Sequence, residues 1–255
     1  MRTTRRFLPS PVAQRSARAA TLAVLCLAAA PVWAGDAPAE RQVPDTLQQR
    51  LLACTACHGK DGRATNQGYF PRIAGKPAGY LYNQLLGFRD GRRHYAGMTS
   101  MVEHMSDDYL RRIADHFAAL DLPYPGPQTT AAPAALLAAG ERLVRQGDGA
   151  RQLPACVKCH GAAMTGTLPA TPGLLGLPRD YLVAQLGAWR SGSRHAAEPD
   201  CMARIAQALG PDDIAAVSTW LSAQPLPANP KAVTASAEPL PSPLPPSLRC
   251  GSVPP

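Results

Sequence analysis

The chain has 255 residues, a net charge of +8, 45% apolar residues and only 5% aromatic ones. Five of its 26 basic residues and none of its 18 acidic ones fall within the first 34 positions, so the rest carries only +3, which excludes a nucleic-acid-binding footprint and with it DNA or RNA as a partner. With so few aromatics, two ordinary cores in so short a chain are hard to fill, and something besides side chains is expected to supply volume.

The first predicted element is a targeting segment. Arginines precede an apolar run from Ala19 to Ala30, and Val32-Trp33-Ala34 offers a small-residue cleavage site before Gly35. That is the layout of a secretory signal peptide over residues 1–34, removed on export to the periplasm. Cys26 reads as apolar filler within it. No later stretch has the length that membrane spanning requires.

Residues 35–122 form the first predicted domain. It carries "CTACHG" at 54–59, then "PRIAGKPAGYLYNQLLGFRDGRRH", in which Tyr80, Leu81, Leu85 and Phe88 recur at helical spacing up to Gly91. "SDDYLRRIADHFAAL" follows, a helix capped by Ser106 with acids in its first turn. Residues 123–133 are a proline-rich linker. The second predicted domain, 134–224, opens with the helical "ALLAAGERLVRQG" and carries "CVKCHG" at 156–161. Then come "PGLLGLPRDYLVAQLGAWRSGSRH" and a last helix, "GPDDIAAVSTWLSAQ", started by Gly210, Pro211 and two acids. The tail, 225–255, has ten prolines and reads as extended and disordered. At a constant offset of 101, Pro71 meets Pro172, Gly75 meets Gly176, Gln84 meets Gln185, and Arg93-His94 meets Arg194-His195. The chain is therefore an internal duplication, and with no stretch of period two the fold class is all-α, in two tandem domains.

Cysteines three apart on a helical turn share a face, with the next histidine projecting beside them. Cys54 and Cys57, and likewise Cys156 and Cys159, are thus placed to form thioethers with haem vinyl groups while His58 and His160 bind iron. A redox C-x-x-C needs a βαβ setting that neither half offers, and a zinc site needs closer cysteine pairs. Structural disulfides within each pair are the third alternative. Two haem c groups are expected, each supplying core volume to its domain.

The second axial position decides the chemistry, since methionine closes the iron for electron transfer and an open position favours catalysis. Aligning the last helices gives an offset of 104, at which Met98 falls on Met202, and one equivalent loop is expected to carry each ligand over its haem. Met101 and Met105 align with Ile205 and Leu209 and read as core filler. Met164 is too close to His160 to reach the far face of a haem. His94 and His195 match each other, which keeps bis-histidine ligation open. Cys201, beside Met202, has no sulfur counterpart. It and Cys250 are the two cysteines left over outside the leader, and an oxidising compartment favours pairing them; a free or intermolecular Cys250 thiol is the alternative.

The C-x-x-C-H strings, the P-x-x-x-G then Y-L-x-x-Q-L run and a methionine eight residues before the last helix cap resemble the dihaem cytochrome c4 family, over about residues 45–224. The resemblance implies a pair of cytochrome c-type helical domains, each wrapped around a covalently bound haem and related by a pseudo-twofold axis. It also implies that the carbonyls of Pro71 and Pro172 orient His58 and His160. The function expected is a non-enzymatic periplasmic carrier with no catalytic residues. It would pass single electrons between a quinol-oxidising complex or dehydrogenase and a terminal oxidase or reductase, its partners being redox proteins, among them membrane-bound respiratory complexes. The rival is an enzyme resembling thiosulfate dehydrogenases, with Cys201 as a haem ligand. A dihaem peroxidase would need an iron without methionine, which neither half suggests.

Overall fold

The structure, a computed structural model, describes residues 44–64, 68–234 and 249–253; the expected signal peptide lies outside them. Helix α1 (Leu47–Arg50) starts where the Thr46 hydroxyl accepts a hydrogen bond from the Gln49 N–H at 3.2 Å. It leads into α2 (Leu52–His58), the C-x-x-C-H turn. Pro77 precedes α3 (Ala78–Arg89), a short α4 (Ala96–Val102) follows, and the Ser106 hydroxyl caps α5 (Asp107–Ala119) by accepting from the Tyr109 N–H at 3.3 Å. On α5 the residues Leu110, Ile113, Ala114 and Phe117 recur at three and four and are buried against Leu51, Leu81, Phe88 and Val102, so one apolar stripe organises the first core.

The second half repeats this with α6 (Ala134–Arg145), α7 (Val157–His160), α8 (Arg179–Ser191), α9 (Cys201–Ala208) and α10 (Pro211–Ala223). The Asp213 carboxylate accepts from the Gly210 N–H at 2.8 Å, the half of a capping box that needs no side chain on the capping residue. Helix α10 packs on both α6 and α8. Its crossing with α6 is close because Gly140 has no side chain: a Cβ there would meet the Ala216 carbonyl and lie 2.8 Å from Trp220 Cβ.

Three features depart from the sequence reading. The second half and the tail also form a small sheet, order β2-β1-β3, of β1 (Gly166–Leu168), β2 (Thr171–Pro172) and β3 (Val233–Thr234). Strands of two or three residues are too short to show a period of two. The tail is not loose throughout: β3 pairs parallel with β1, Leu226 packs on the second core, and a Cys201–Cys250 disulfide fixes residues 249–253. Proline content argued against regular structure but could not reveal these tertiary tethers. The linker is extended yet packed, since the buried Arg72 guanidinium donates to the Leu122 and Pro123 carbonyls at 2.5 and 2.9 Å and lies over the Tyr124 ring.

The two halves meet along a self-complementary seam. The His94 N–H donates to the Ser193 carbonyl at 3.0 Å, and the His195 N–H donates to the Arg92 carbonyl at 2.6 Å. These are one contact made twice with the partners exchanged, the signature of a twofold relation between copies. The side chains follow suit: Arg93 donates to Gln84 and Gln185 at 2.9 and 2.6 Å, while Arg194 donates to Gln185 and Gln84, both at 2.7 Å.

Candidate haem centres

Each C-x-x-C-H turn must end abruptly for its histidine to point inward. Helix α2 stops at His58 because Gly59 takes φ +76°, and the chain doubles back so that the Ala64 N–H reaches the His58 carbonyl at 2.7 Å. Gly161 does the same after His160, at φ +83°. Both imidazoles are buried. The Nδ1–H of His58 donates to the Pro71 carbonyl at 2.8 Å, and that of His160 to the Pro172 carbonyl at 2.7 Å. Burial holds both rings below the usual histidine range against the opposing pull of those carbonyls, so they are neutral. With Nδ1 committed as donor, Nε2 keeps the lone pair that a metal needs.

Both histidines face one continuous cavity of about 500 Å³ that runs between the halves. Cys54, Cys57 and Met98 line it on one side, and Cys156, Cys159 and Met202 on the other. Burial pushes the Cys156 thiol up to about 11 and raises Cys54 and Cys159 as well, so without a bound group these sulfurs are protonated thiols. Among the described residues, no three side chains of the His, Cys, Asp or Glu type gather around one point. The donor set of each half is one imidazole, one thioether and a thiol pair.

The methionines expected on loops sit on short helices, Met98 on α4 and Met202 on α9, both half-buried. Met105 packs on the first core and Met164 is within the second. Met101 is no core filler, being 42% exposed at the cavity rim. It falls on the outward side of a helix too short for its periodicity to be read. His94 and His195 have exposed imidazoles and contribute backbone to the seam. Cys201 lines the cavity but is joined to Cys250, and Cys250, Ser252 and Val253 complete that wall. The Asn83 amide donates to the Ser252 carbonyl at 2.7 Å, so the tail also touches the first half.

Sequence reasoning assigned no role to the seam residues, although Gln84/Gln185 and Arg93/Arg194 matched in the repeat register. Among the described residues, Arg93 and Arg194 line the cavity with amide and phenol oxygens as the hydrogen-bond acceptors of their side chains. Burial and the Arg93 charge push Arg194 down to about 10. Beside it, with the Arg194 guanidinium 3.7 Å above its ring, Trp189 keeps a buried indole N–H that finds no acceptor among the described residues. Two guanidinium groups and an idle donor on the wall of an apolar cavity call for an anionic acceptor there, and haem, an apolar macrocycle with two carboxylates on one edge, has that character. The residues present fit the group.

No family model matches the chain. A thiosulfate dehydrogenase electron acceptor of Thiomonas intermedia (strain K12) is 35% identical over 223 residues, 87% of this chain and 95% of the relative. Cytochrome c4 of Pseudomonas aeruginosa is 35% identical over 190 residues, 74% of this chain and 88% of the relative. Among solved structures, reduced recombinant cytochrome c4 from Pseudomonas stutzeri superposes with a TM-score of 0.60 at 31% identity, over 69% of this chain and 95% of that one. Fold, duplicated turns and relatives define a class, the dihaem c-type cytochromes, whose business is electron transfer. Within it, the chain belongs to the cytochrome c4 family, and its cofactors are two haem c.

Proposed function

We propose that this protein is a periplasmic one-electron carrier that accepts electrons from a dehydrogenase acting on thiosulfate and delivers them to a terminal oxidase or reductase, through membrane-bound respiratory complexes. The observation that carries the donor is the 35% identity over 95% of a relative named for accepting electrons from thiosulfate dehydrogenase. When bound, haem supplies a one-electron iron couple. Cys54 and Cys57 would hold the first group covalently, and Cys156 and Cys159 the second. His58 with Met98, and His160 with Met202, would hold the iron of the first and second group. Pro71 and Pro172 keep the imidazoles from rotating, and Arg93, Arg194 and Trp189 would receive the carboxylates at the seam. Periplasmic placement rests on the predicted leader and on the family.

The test mixes oxidised holoprotein, its two haems first established by intact mass, with a purified thiosulfate dehydrogenase and thiosulfate. Stoichiometric reduction of both haems, with none when the dehydrogenase is omitted, is the expected result. Reduction by thiosulfate alone would instead favour the enzyme reading.

That second reading has one observation in its favour, the position of Cys201 on the cavity wall beside Met202. The disulfide to Cys250 occupies the sulfur it needs. In Cys201→Ser the ferric and ferrous spectra are expected to match those of the wild type, while limited proteolysis removes the tail faster. Thiolate features in the wild-type ferric spectrum that vanish in this variant would make Cys201 a ligand.

A further inference from the structure

Lys76 has no part in the mechanism above, yet its side chain is 4% exposed and lies on the cavity wall. At the repeat offset of 101 its counterpart is Leu177, also buried and also lining the cavity. An aliphatic side chain therefore serves this position in one copy, where the other buries an ammonium group at a desolvation cost. Its Nζ crosses to the other half and donates to the Gly173 carbonyl at 3.2 Å. Gly173 directly follows Pro172, whose carbonyl accepts from His160.

Among the described residues, no carboxylate side chain pairs with this ammonium group. On its own loop stands Arg72, a second buried cation, committed to the carbonyls of Ala74, Leu122 and Pro123. The linker contributes Tyr124, whose ring centre is 5.5 Å from Nζ. The same cavity wall holds the phenols of Tyr80 and Tyr181 and the guanidinium groups of Arg93 and Arg194. The acid felt by Arg72 is Asp121, which pairs with Lys231 at 2.8 Å. Burial and the Arg72 charge together push Lys76 down to about 7, so at neutral pH the amine is poised between its two forms.

Resting on the assignment of His160 and Met202 above, we propose that Lys76 is a positioning residue of the second haem centre. It holds the Pro172 segment from the opposite half, and it takes up the proton that accompanies reduction of that centre. The step balances: a one-electron donor adds one electron at the iron, and the neutral amine accepts one proton from solvent to become an ammonium. The net charge of the buried region is then unchanged. Oxidation returns the electron to the acceptor and the proton to water.

The experiment is a potentiometric titration of both haems in the purified holoprotein between about pH 5 and 9, a range that brackets the titration of Lys76. In the wild type the potential of the second haem is expected to fall as pH rises through about 7, because removing the nearby positive charge disfavours reduction. In Lys76→Leu, the residue its counterpart already uses, that potential should be flat and equal to the wild-type high-pH level. In Lys76→Arg, which stays charged throughout, it should be flat and equal to the low-pH level. A wild-type potential independent of pH, or a slope that persists in Lys76→Leu, overturns the proposal. Haem content and the ferrous spectrum of each sample report separately on the ligands: a wild type lacking the second haem would remove the assignment on which Lys76 depends, whatever the slopes.

Discussion

Met202→Ala is expected to lower the potential of the second haem by on the order of 100 mV or more, a modest share of the range of about 0.8 V over which axial ligands set haem potentials. The argument starts from α9, which the Asp200 carboxylate caps by accepting from the Ala203 N–H at 3.0 Å and which the Cys201–Cys250 disulfide ties to the tail. With its base fixed, the helix holds Met202 on the cavity wall, where a thioether favours ferrous iron. Alanine leaves water or an empty position there, and ferric iron gains. The first haem, for which His58 and Met98 of the other half are the proposed ligands, should keep its potential within experimental error. Separate titration waves for the two haems check this, and equal displacement of both would mean that the variant disturbs the seam and not one ligand.

Gly140→Ala is expected to destabilise the holoprotein by about 3 kcal/mol, because overpacking against unyielding backbone falls at the upper end of its usual cost. For a chain of this size that is a melting-temperature loss of about 10 °C. The new methyl group would meet the Ala216 carbonyl and Trp220 Cβ, so α6 must lift off α10 and open the second core. Helix propensity pulls the other way by only about 1 kcal/mol. Gly187→Ala on α8 is the control: nothing lies within 4 Å of a Cβ there, so propensity alone acts and the melting temperature should rise slightly. A drop for both variants would implicate helix geometry instead of the α6–α10 crossing.

Local chemistry was legible in the sequence; contacts between distant residues mostly were not. Ser106 and the acids after it announced α5, and the repeat register matched Met98 with Met202 before any geometry was known. Glycines such as Gly59 and Gly161 stood in plain view, but the close backbone approaches that require them did not. The Cys201–Cys250 bridge could be reached by elimination, whereas β3 and the contact of Asn83 with Ser252 could not, because nothing in a proline-rich stretch says what it will lie against. Lys76 and Trp189 were invisible as special residues. Burial of a cation or of an N–H without a partner is a property of the folded neighbourhood and leaves no mark on composition or spacing.

The seam constrains how the two copies could have drifted apart after duplication. Gln84 accepts from Arg93 of its own copy and from Arg194 of the other, and Gln185 accepts from both arginines in turn. None of the four can be exchanged alone without stranding a buried donor or acceptor that serves both copies. Divergence is free only at positions that do not reach across, or that reach across from one side alone. Lys76, with Leu177 as its counterpart, is of the second kind, and a cystine at 201 in one copy with glycine at 97 in the other is of the first. A protein with two near-equivalent redox centres can acquire a direction for its electrons only through such one-sided changes, so the rigidity of its shared seam decides where that asymmetry is allowed to appear.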